Sequence, residues 1–420
     1  MSNQLAKGVH LHVFPTEKYK TIRIKIKFAA QLQYETITAR SFVSNMLETN
    51  SQKYPSQTTL RKELSELFGA GFGISSERKG NLSIITAEMS LVNDKFLSLE
   101  DHVFEKGMAF LKEILLAPHA ENEKFHPATF KREKENLLDL FDSYYDDKQL
   151  YASLALQQLY FHNAAQQMPG TGSKEQLEQI TPRSLYEEYL RMIKKDRIDI
   201  FVLGDISKER VESAFSKFGF EDRELIRLNP FYRQNKEKAL RLKEEAQPVQ
   251  QAKLNLAYQT GIYYLQDDYY AGQVFNGLFG GFPHSKLFLN VREKESLAYY
   301  ASSSLDTFRG MMMVQTGIDS NQAKKVKEII NTQLDELKNG NLDEGAFDQT
   351  KEMLINQLYQ SQDSPSATIE RAYAMDLAGM PPVTVKEWAE NIQKVTIDQI
   401  KEVAQDTSLQ AEYLLKGEEA

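Results

Sequence analysis

The stretch TIRIKIKFAAQ, residues 21–31, contains the pattern on which the fold assignment depends. Isoleucines alternate with charged residues along it, and a period of two predicts a strand with one buried face. A second stretch, AKLNLAYQTGI at 252–262, alternates in the same way just past the middle of the chain. Ile24 and Leu254 occupy equivalent positions in the two stretches and differ by 254 − 24 = 230. The two strands are therefore candidates for the two copies of a duplicated unit.

The same offset relates further segments that follow each strand. It places Val43 opposite Gln273 in GQVFNGL (272–278). Val43 lies in RSFVSNMLETNS (40–51), where the spacing of the apolar residues predicts a buried helix with one side formed by Phe42, Val43, Met46 and Leu47. The offset also places LRKELSELFGAG (60–71) opposite NVREKESLAYYA (290–301), and IITAEM (84–89) opposite VQTGIDS (314–320). A strand, two helices and a strand are thus predicted twice in the same order. Such a recurrence indicates an internal duplication of the chain.

Two domains account for a length of 420 residues, which exceeds what one ordinary hydrophobic core supports. We predict an α+β protein of two duplicated α/β halves, each a mixed, mainly antiparallel sheet covered by helices. The predicted domains are residues 1–220 and 252–420. Between them, residues 221–251 are charged and interrupted by Pro230 and Pro248, which is typical of a linker.

Composition excludes several classes of function. The formal charge of 51 − 59 = −8 argues against a nucleic-acid-binding protein. Because the chain has no cysteine, disulfides, thiolate metal sites and cysteine nucleophiles are excluded. No apolar run reaches the ~18 residues that span a bilayer. The N-terminal residues also lack the apolar core of a secretory signal, so we expect a cytoplasmic protein without membrane contact.

The seven histidines form no recognisable metal-binding motif. Neither HExxH nor HxxEH occurs, and His102 with Glu105 is interpreted as part of a solvated helix face. His10 and His12 lie two residues apart on a predicted strand, so they point to the same side and are interpreted as surface residues. No GxSxG stretch nominates a serine nucleophile.

The segment VREKESLAYY (291–300) contains the best candidates for substrate contacts. Arg292 is predicted near the end of a helix, and Tyr299 at the start of a serine-rich strand. A guanidinium and a phenol on one cavity wall can donate hydrogen bonds to a peptide carbonyl or to the oxyanion formed from it. The alternative is an ordinary surface arginine and a half-buried tyrosine. Upstream, Gly280 and Gly281 are interpreted as a tight turn between two helices.

These segments together resemble the pitrilysin/insulinase family of zinc peptidases, in its mitochondrial-processing-peptidase-like branch. The most specific stretch, LFGGFPHSKLFLNVREKESLAYYASSS (278–304), is similar to the family's second-half signature of a glycine-rich turn followed by R-x-x-x-x-L-A-Y. QMPGTGSKEQLEQITPRSLYEEYL (167–190) resembles the first half, so the resemblance covers nearly the whole chain. It implies two similar α/β halves and two chains that close around a peptide. It also implies that Arg292 and Tyr299 bind the substrate near the scissile bond.

The chain departs from that family in RSFVSNML (40–47). Catalytic members have H-F-L-E-H-M on this helix, in which two histidines bind zinc and the glutamate activates the metal-bound water. The resemblance places Ser41, Ser44 and Asn45 at these three positions, and Leu140 at that of a third ligand, a glutamate on a later helix. Serine and asparagine are poor zinc ligands, and leucine is none. We therefore expect this chain to bind no metal.

The function that follows is that of a non-catalytic, substrate-binding subunit in a heteromeric zinc metallopeptidase. A homologous partner with an intact HxxEH would bring the zinc, and this chain would bring the Arg/Tyr pair and half of the peptide chamber. The chain alone could instead form a homodimer. Other readings are a structural or peptide-holding homologue without a role in cleavage, and an independent hydrolase with an unrecognised site.

Overall fold

A computed structural model describes residues 3–97, 102–224 and 227–418. The chain folds into two compact units. The first comprises the described residues up to Asp142 together with Pro169–Asn229. The second comprises Ser143–Met168 and the described residues from Pro230 onwards.

The strands and helices of the described residues are numbered along the chain. The strands are β1 (Asn3–Ala6), β2 (Val9–Pro15), β3 (Thr21–Gln31), β4 (Gly71–Lys79), β5 (Leu82–Val92), β6 (Ala120–Glu121), β7 (Lys124–Phe125), β8 (Arg197–Gly204), β9 (Arg241–Gln247), β10 (Ala252–Gln259), β11 (Ala298–Asp306), β12 (Met311–Ile318) and β13 (Ser408–Gly417). The α-helices are α1 (Ile37–Thr49), α2 (Gln57–Glu66), α3 (Val103–Leu116), α4 (Pro127–Asp146), α5 (Lys148–Tyr160), α6 (Ala164–Gln167), α7 (Lys174–Gln179), α8 (Pro182–Lys195), α9 (Lys208–Ser216), α10 (Tyr269–Asn276), α11 (Ala323–Lys338), α12 (Glu344–Ser361), α13 (Pro365–Leu377), α14 (Val385–Gln393) and α15 (Ile397–Asp406). Two π-helical segments span Gly277–Gly281 and Phe288–Lys294, and short 3₁₀ turns span Tyr34–Thr36, Asp94–Phe96 and Ser320–Gln322.

The two main sheets have the same topology, which is the structural form of the duplication. The strand order in the first unit is β1-β2-β8-β3-β5-β4, and in the second β11-β12-β10-β13-β9. Read from the other edge, the second sheet repeats β2-β8-β3-β5-β4 strand for strand. The β2–β8 and β13–β9 pairs are both parallel, and the other pairs within these two sheets are antiparallel. The predicted α+β fold of two α/β halves is therefore confirmed.

Strand β3 forms where its alternating pattern predicts, although both of its faces are buried. Ile24 and Ile26 are fully buried in the core beneath the helices. On the other face, Lys27 is only 1% exposed. Its Nζ donates to Thr86 Oγ1 at 3.2 Å, and Lys25 Nζ lies 3.2 Å from a carboxylate oxygen of Glu88. The prediction of a half-buried strand was wrong because these partners satisfy the ammonium groups inside the protein.

Part of the predicted linker at 221–251 is a strand of the second sheet. Residues 241–247 form β9, which pairs in parallel with β13 along its whole length. Its sequence, RLKEEAQ, has no apolar alternation because β9 is an edge strand with mostly exposed side chains. Residues 225–226 of the predicted linker lie outside the described part of the chain.

Helix α5 belongs to the second unit, although the predicted first domain runs to residue 220. It packs on β9, β10 and β13. Ala152 and Leu156 are fully buried in a cluster with Ala257 and Tyr413 of those strands. Small residues let the helix approach the sheet closely, and the sequence gives no sign of which sheet that is.

The apolar residues predicted for α1 lie in the core of the first unit. Phe42, Val43, Met46 and Leu47 are almost completely buried, and α1 packs on β4 and β5. This packing places the helix directly beside the edge strand of its sheet. Among the described residues, no helix combines the length and apolar character needed to cross a bilayer.

Candidate functional site

Three of the four positions predicted to have lost a residue of the zinc motif lie on α1. Ser41 and Ser44 are 3% and 2% exposed, and Asn45 is partly exposed. Ser44 Oγ donates a 2.7 Å hydrogen bond to the carbonyl oxygen of Ser41. Its hydroxyl is therefore satisfied within the helix, as is common for serine in a helix interior.

The fourth position, Leu140, lies on α4 with an exposed side chain. Helix α4 contacts α1 near its own N-terminus. The Phe42 and Phe130 rings pack with centroids 5.0 Å apart, and Asn50 Nδ2 donates to Thr129 Oγ1 at 2.9 Å. Leu140 is ten residues beyond Phe130, roughly 15 Å along a helix. The structure thus places all four positions in one unit, on helices that touch.

The side chains at these positions do not fit a zinc ion. Hydroxyl, amide and alkyl groups replace imidazole and carboxylate, the neutral nitrogen and anionic oxygen donors that zinc requires. Glu133, a buried carboxylate on α4, accepts from Arg132 Nε at 2.8 Å and from Asn136 Nδ2 at 3.0 Å, so both of its oxygens are engaged. Across residues 3–97, 102–224 and 227–418, no three histidine, aspartate or glutamate side chains are grouped to hold a metal ion.

The second unit brings Arg292 and Tyr299 to one cavity. Arg292 lies in the π-helical segment Phe288–Lys294, and Tyr299 is the second residue of β11. Both line a cavity of about 450 Å³ together with Asp319. π-Helical turns are rare and occur frequently at functional sites.

A strained turn joins the helical segment to the strand. Ser296 has φ = +52°, in the left-handed region that non-glycine residues seldom adopt. Its amide donates to the carbonyl oxygen of Arg292 at 3.1 Å, and the amide of Leu297 donates to that of Val291 at 3.0 Å. Because Val291 is fully buried, these hydrogen bonds hold the turn against the core. They thereby fix the backbone positions of Arg292 and Tyr299.

The polar ends of both side chains remain available to a ligand. The Arg292 guanidinium lies 4.6 Å from the Phe288 ring centroid, and its Nε is 3.7 Å from a carboxylate oxygen of Glu293. Tyr299 is 68% exposed. The next residue differs: Tyr300 donates a hydrogen bond to Gln149, and burial raises the pKa of its phenol to about 12. Tyr299 is therefore the tyrosine of this pair that faces outward.

The glycines before this site serve close packing. Gly280 and Gly281 end the first π-helical segment without a positive φ, so the predicted tight turn was wrong. A Cβ on Gly280 would lie 2.6 Å from the backbone nitrogen of Ser303 on β11. A Cβ on Gly277 would lie 2.6 Å from Thr350 Cγ2 on α12. Glycine lets this segment approach the strand that carries Tyr299.

Two predictions about histidines have different outcomes. His102 precedes α3 and is exposed, and Glu105 accepts from Arg210 at 2.7 Å, as expected for a solvated face. His12 is mostly buried: its ring stacks on Phe201 with centroids 4.4 Å apart, and its Nε2 is 3.5 Å from an oxygen of the buried Asp199. The surface interpretation of His12 was wrong because its ring packs on Phe201 and only 13% of the side chain is exposed.

Asp319 is the residue of the cavity that sequence reasoning missed. It follows β12 directly, and its exposed carboxylate adds a negative charge to the cavity that Arg292 also lines. A single acidic residue after a strand is too common to nominate a site. The repeat offset gave the only signal, since VQTGIDS (314–320) was already aligned with the first half.

These features define a class of protein: a duplicated fold of two α/β halves in which the described histidine, aspartate and glutamate side chains form no group that could hold a metal ion. A model of the Peptidase M16 inactive domain matches residues 179–354. The chain is 35% identical to the probable inactive metalloprotease YmfF of Bacillus subtilis, over 98% of this chain and 96% of that protein. The chain belongs to peptidase family M16, the pitrilysin/insulinase family, as an inactive member.

Solved structures share the fold of this chain. A conserved protein from Enterococcus faecalis V583 is 46% identical, with a TM-score of 0.95 over 100% of this chain and 98% of that one. The peptidase M16 inactive domain from Pseudomonas fluorescens shares the fold at 16% identity, with a TM-score of 0.83 over 100% and 98% of the two chains. The sequence-based recognition of the family is confirmed.

Proposed function

We propose that this protein is the peptide-binding subunit of a heteromeric zinc metallopeptidase whose homologous partner carries the HxxEH helix and the zinc. Membership among inactive M16 proteins supports the non-catalytic part of the proposal. The observation that carries the peptide-binding part is the cavity shared by Arg292 and Tyr299. The guanidinium fork and the phenol supply hydrogen-bond donors for a peptide carbonyl.

The edge strand β11 supplies a docking surface that leads from this cavity. It is an edge strand of the second sheet, and its sequence AYYASSSLD contains no proline and no charged residue before Asp306. Edge strands are usually protected by charges, as the opposite edge β9 is by RLKEE. We propose that an extended peptide pairs with the outer edge of β11 while Arg292 and Tyr299 bind one of its carbonyl groups.

The proposed partner follows from what this chain lacks. Zinc-dependent hydrolysis needs three protein ligands and a base, and the four corresponding positions here do not provide them. The relatives include YmxG, named an uncharacterized zinc protease, which is 26% identical over 69% of this chain and 70% of that protein. YmxG and YmfF both come from Bacillus subtilis, so a relative named a zinc protease and a relative named a probable inactive metalloprotease occur in one organism.

Fluorescence anisotropy with a labelled extended peptide tests the binding step. Arg292→Ala is expected to weaken binding at least about tenfold, since a charge-assisted hydrogen bond contributes roughly 1.5–3 kcal/mol. Arg183→Ala is a matched control, because that side chain is 52% exposed and lies in the other unit. N-methylation of alternate peptide nitrogens is expected to weaken binding, because it removes the donors of strand pairing.

The partner is tested by purifying the native complex and measuring its metal content and subunits. A homologous chain with HxxEH and about one zinc per pair is the expected result. If the protein is recovered alone or as a homodimer and still binds the peptide, that result would favour a peptide-holding homologue. Equal affinity of Arg292→Ala and wild type would refute the assigned binding site.

A further inference from the structure

A second cavity, in the first unit, has a positively charged lining. It has a volume of about 180 Å³ and lies between the end of β3, the first turns of α1 and the C-terminal end of α8. Its charged lining residues are Arg40, Arg191, Lys195, Arg197, Glu188 and Asp196. Four cations and two carboxylates give 4 − 2 = +2, in a chain whose net charge is −8. We call this the basic cavity.

Both carboxylates of the basic cavity are already paired with arginines. Asp196 Oδ2 lies 2.7 Å from Arg40 Nη2, and both side chains are buried. Glu188 Oε2 lies 2.8 Å from Arg191 Nη1, and its other oxygen is 3.7 Å from Arg40 Nη1. Burial also raises the pKa of Glu188, which weakens its negative character further. Arg197 is likewise paired, because its Nη2 lies 2.8 Å from a carboxylate oxygen of the buried Asp199. The remaining positive charge of the lining is therefore that of Lys195.

Arg40 is held rigidly at the base of this cluster. Its Nε donates to Ser83 Oγ at 2.8 Å, and its Nη2 to the carbonyl oxygens of Phe28 and Ser83 at 3.3 and 3.2 Å. With Asp196 included, Nε and Nη2 of Arg40 are engaged by the protein, and Nη1 lies 3.7 Å from a carboxylate oxygen of Glu188. Arg40 contributes a fixed positive charge beneath the cavity.

The donors available to a ligand come from the last turns of α8. Lys195 has no hydrogen bond or ion pair within the described ranges, and Arg191 uses only Nη1 for Glu188. The two residues are four apart and so lie on the same helix face. The C-terminal end of a helix favours cations, and both side chains lie in the last two turns of α8.

Size and polarity limit the chemical class of ligand. A volume of 180 Å³ equals about six water molecules at roughly 30 Å³ each, so it fits an end group of a few atoms. Ala29 and Ala30 form an apolar part of the wall. Guanidinium and ammonium groups recognise carboxylate and phosphate oxygens.

We propose that the basic cavity is an anion-binding site for a carboxylate or phosphate end group, with Arg191 and Lys195 as its donors and Arg40 as a fixed charge. The site is independent of the Arg292–Tyr299 cavity, which lies in the other unit. Its ligand has two possible sources: the C-terminal carboxylate of a peptide, or a free or esterified phosphate.

Isothermal titration calorimetry of the full-length protein separates these sources. The probes are inorganic phosphate, N-acetyl-alanyl-alanine with a free carboxylate, and the same dipeptide amidated at its C-terminus. Binding of phosphate alone identifies a phosphate site, and binding of the free but not the amidated dipeptide identifies a carboxylate site. No saturable binding of any probe, or equal binding of the amidated and free dipeptides with no phosphate binding, overturns the proposal.

Substitutions tie the binding to the cavity. Lys195→Ala and Arg191→Ala are each expected to weaken the affinity for the probe that binds by at least about fivefold. Lys195→Glu is expected to abolish binding. Lys194→Ala is the matched control, because this neighbouring lysine is exposed and does not line the cavity. A circular dichroism melt confirms that each variant is folded. Affinity unchanged in Lys195→Glu would refute the site.

Discussion

Ser44 Oγ donates its hydrogen bond to the carbonyl oxygen of Ser41, 2.7 Å away, so the two serines that were predicted at vacated positions of the zinc motif are linked within α1. The helix has a buried apolar face, and both serines are buried with it. Because the Ser44 hydroxyl has a partner inside the helix, it is not an unsatisfied polar group.

Restoring the helix motif alone is expected to restore neither zinc binding nor peptidase activity. The triple variant Ser41→His, Ser44→Glu, Asn45→His still has leucine at position 140, so one protein ligand is missing. Because Ser41 and Ser44 are buried, the larger side chains are also expected to lower the free energy of unfolding by about 1–3 kcal/mol. Metal analysis after dialysis and urea denaturation measure the two effects.

Adding Leu140→Glu tests whether position 140 belongs to the site. We expect stoichiometric zinc in the four-site variant and none in the triple variant. The same substitution at Leu150, an exposed leucine on α5 in the other unit, is the control. Tight zinc binding by the triple variant would show that the third ligand comes from elsewhere.

Removal of Arg40 is expected to destabilise the protein strongly. Arg40→Ala leaves the buried carboxylate of Asp196 without the guanidinium 2.7 Å away, and such a loss costs about 3–5 kcal/mol. Urea denaturation followed by circular dichroism measures the change. Lys131→Ala, which removes an exposed ion pair with Glu135, is expected to change stability by less than about 0.5 kcal/mol. Similar small effects for both variants would contradict the role of Arg40.

The sequence was sufficient to predict the elements whose patterns are local. The alternation in residues 21–31, its copy 230 residues later and the apolar face of α1 all correspond to observed elements. The placement of Arg292 in a helical segment and Tyr299 at the start of a strand was likewise correct. Each of these predictions depends on a period of two or 3.6 within a dozen residues.

The sequence was insufficient where long-range contacts decide. Strand β9 has an edge-strand sequence of charged residues, and only its pairing with β13 makes it a strand. Helix α5 has buried alanines that indicate close packing, but they do not indicate which of the two sheets the helix packs on. The basic cavity brings together two distant parts of the chain, since Arg40 and Asp196 are 196 − 40 = 156 positions apart, and no local pattern links them.

Gly280→Ala is expected to destabilise the second unit. The added Cβ would lie 2.6 Å from the backbone nitrogen of Ser303, so the π-helical segment or β11 has to move. Overpacking of this kind costs about 1–3 kcal/mol and is measured as a lower denaturation midpoint. Gly170→Ala is the control, because its Cβ would meet its nearest neighbour at 3.7 Å. Equal midpoints for the two variants would argue against close packing as the reason for Gly280.

Tyr299→Phe and Arg292→Ala are expected to lower peptide turnover by the complex with the zinc-bearing partner, without dispersing it. Both side chains are largely exposed, so the free energy of unfolding should change by less than about 0.5 kcal/mol. Removal of one hydrogen-bond donor to a developing oxyanion costs about 10²–10³ in turnover, whereas loss of a ground-state contact raises KM instead. Steady-state kinetics of the reconstituted complex distinguish these outcomes, and gel filtration reports its integrity. Tyr300→Phe is the matched control, since the Tyr300 phenol is engaged by Gln149. If turnover is unchanged in both test variants, this chain has only a structural role in the complex.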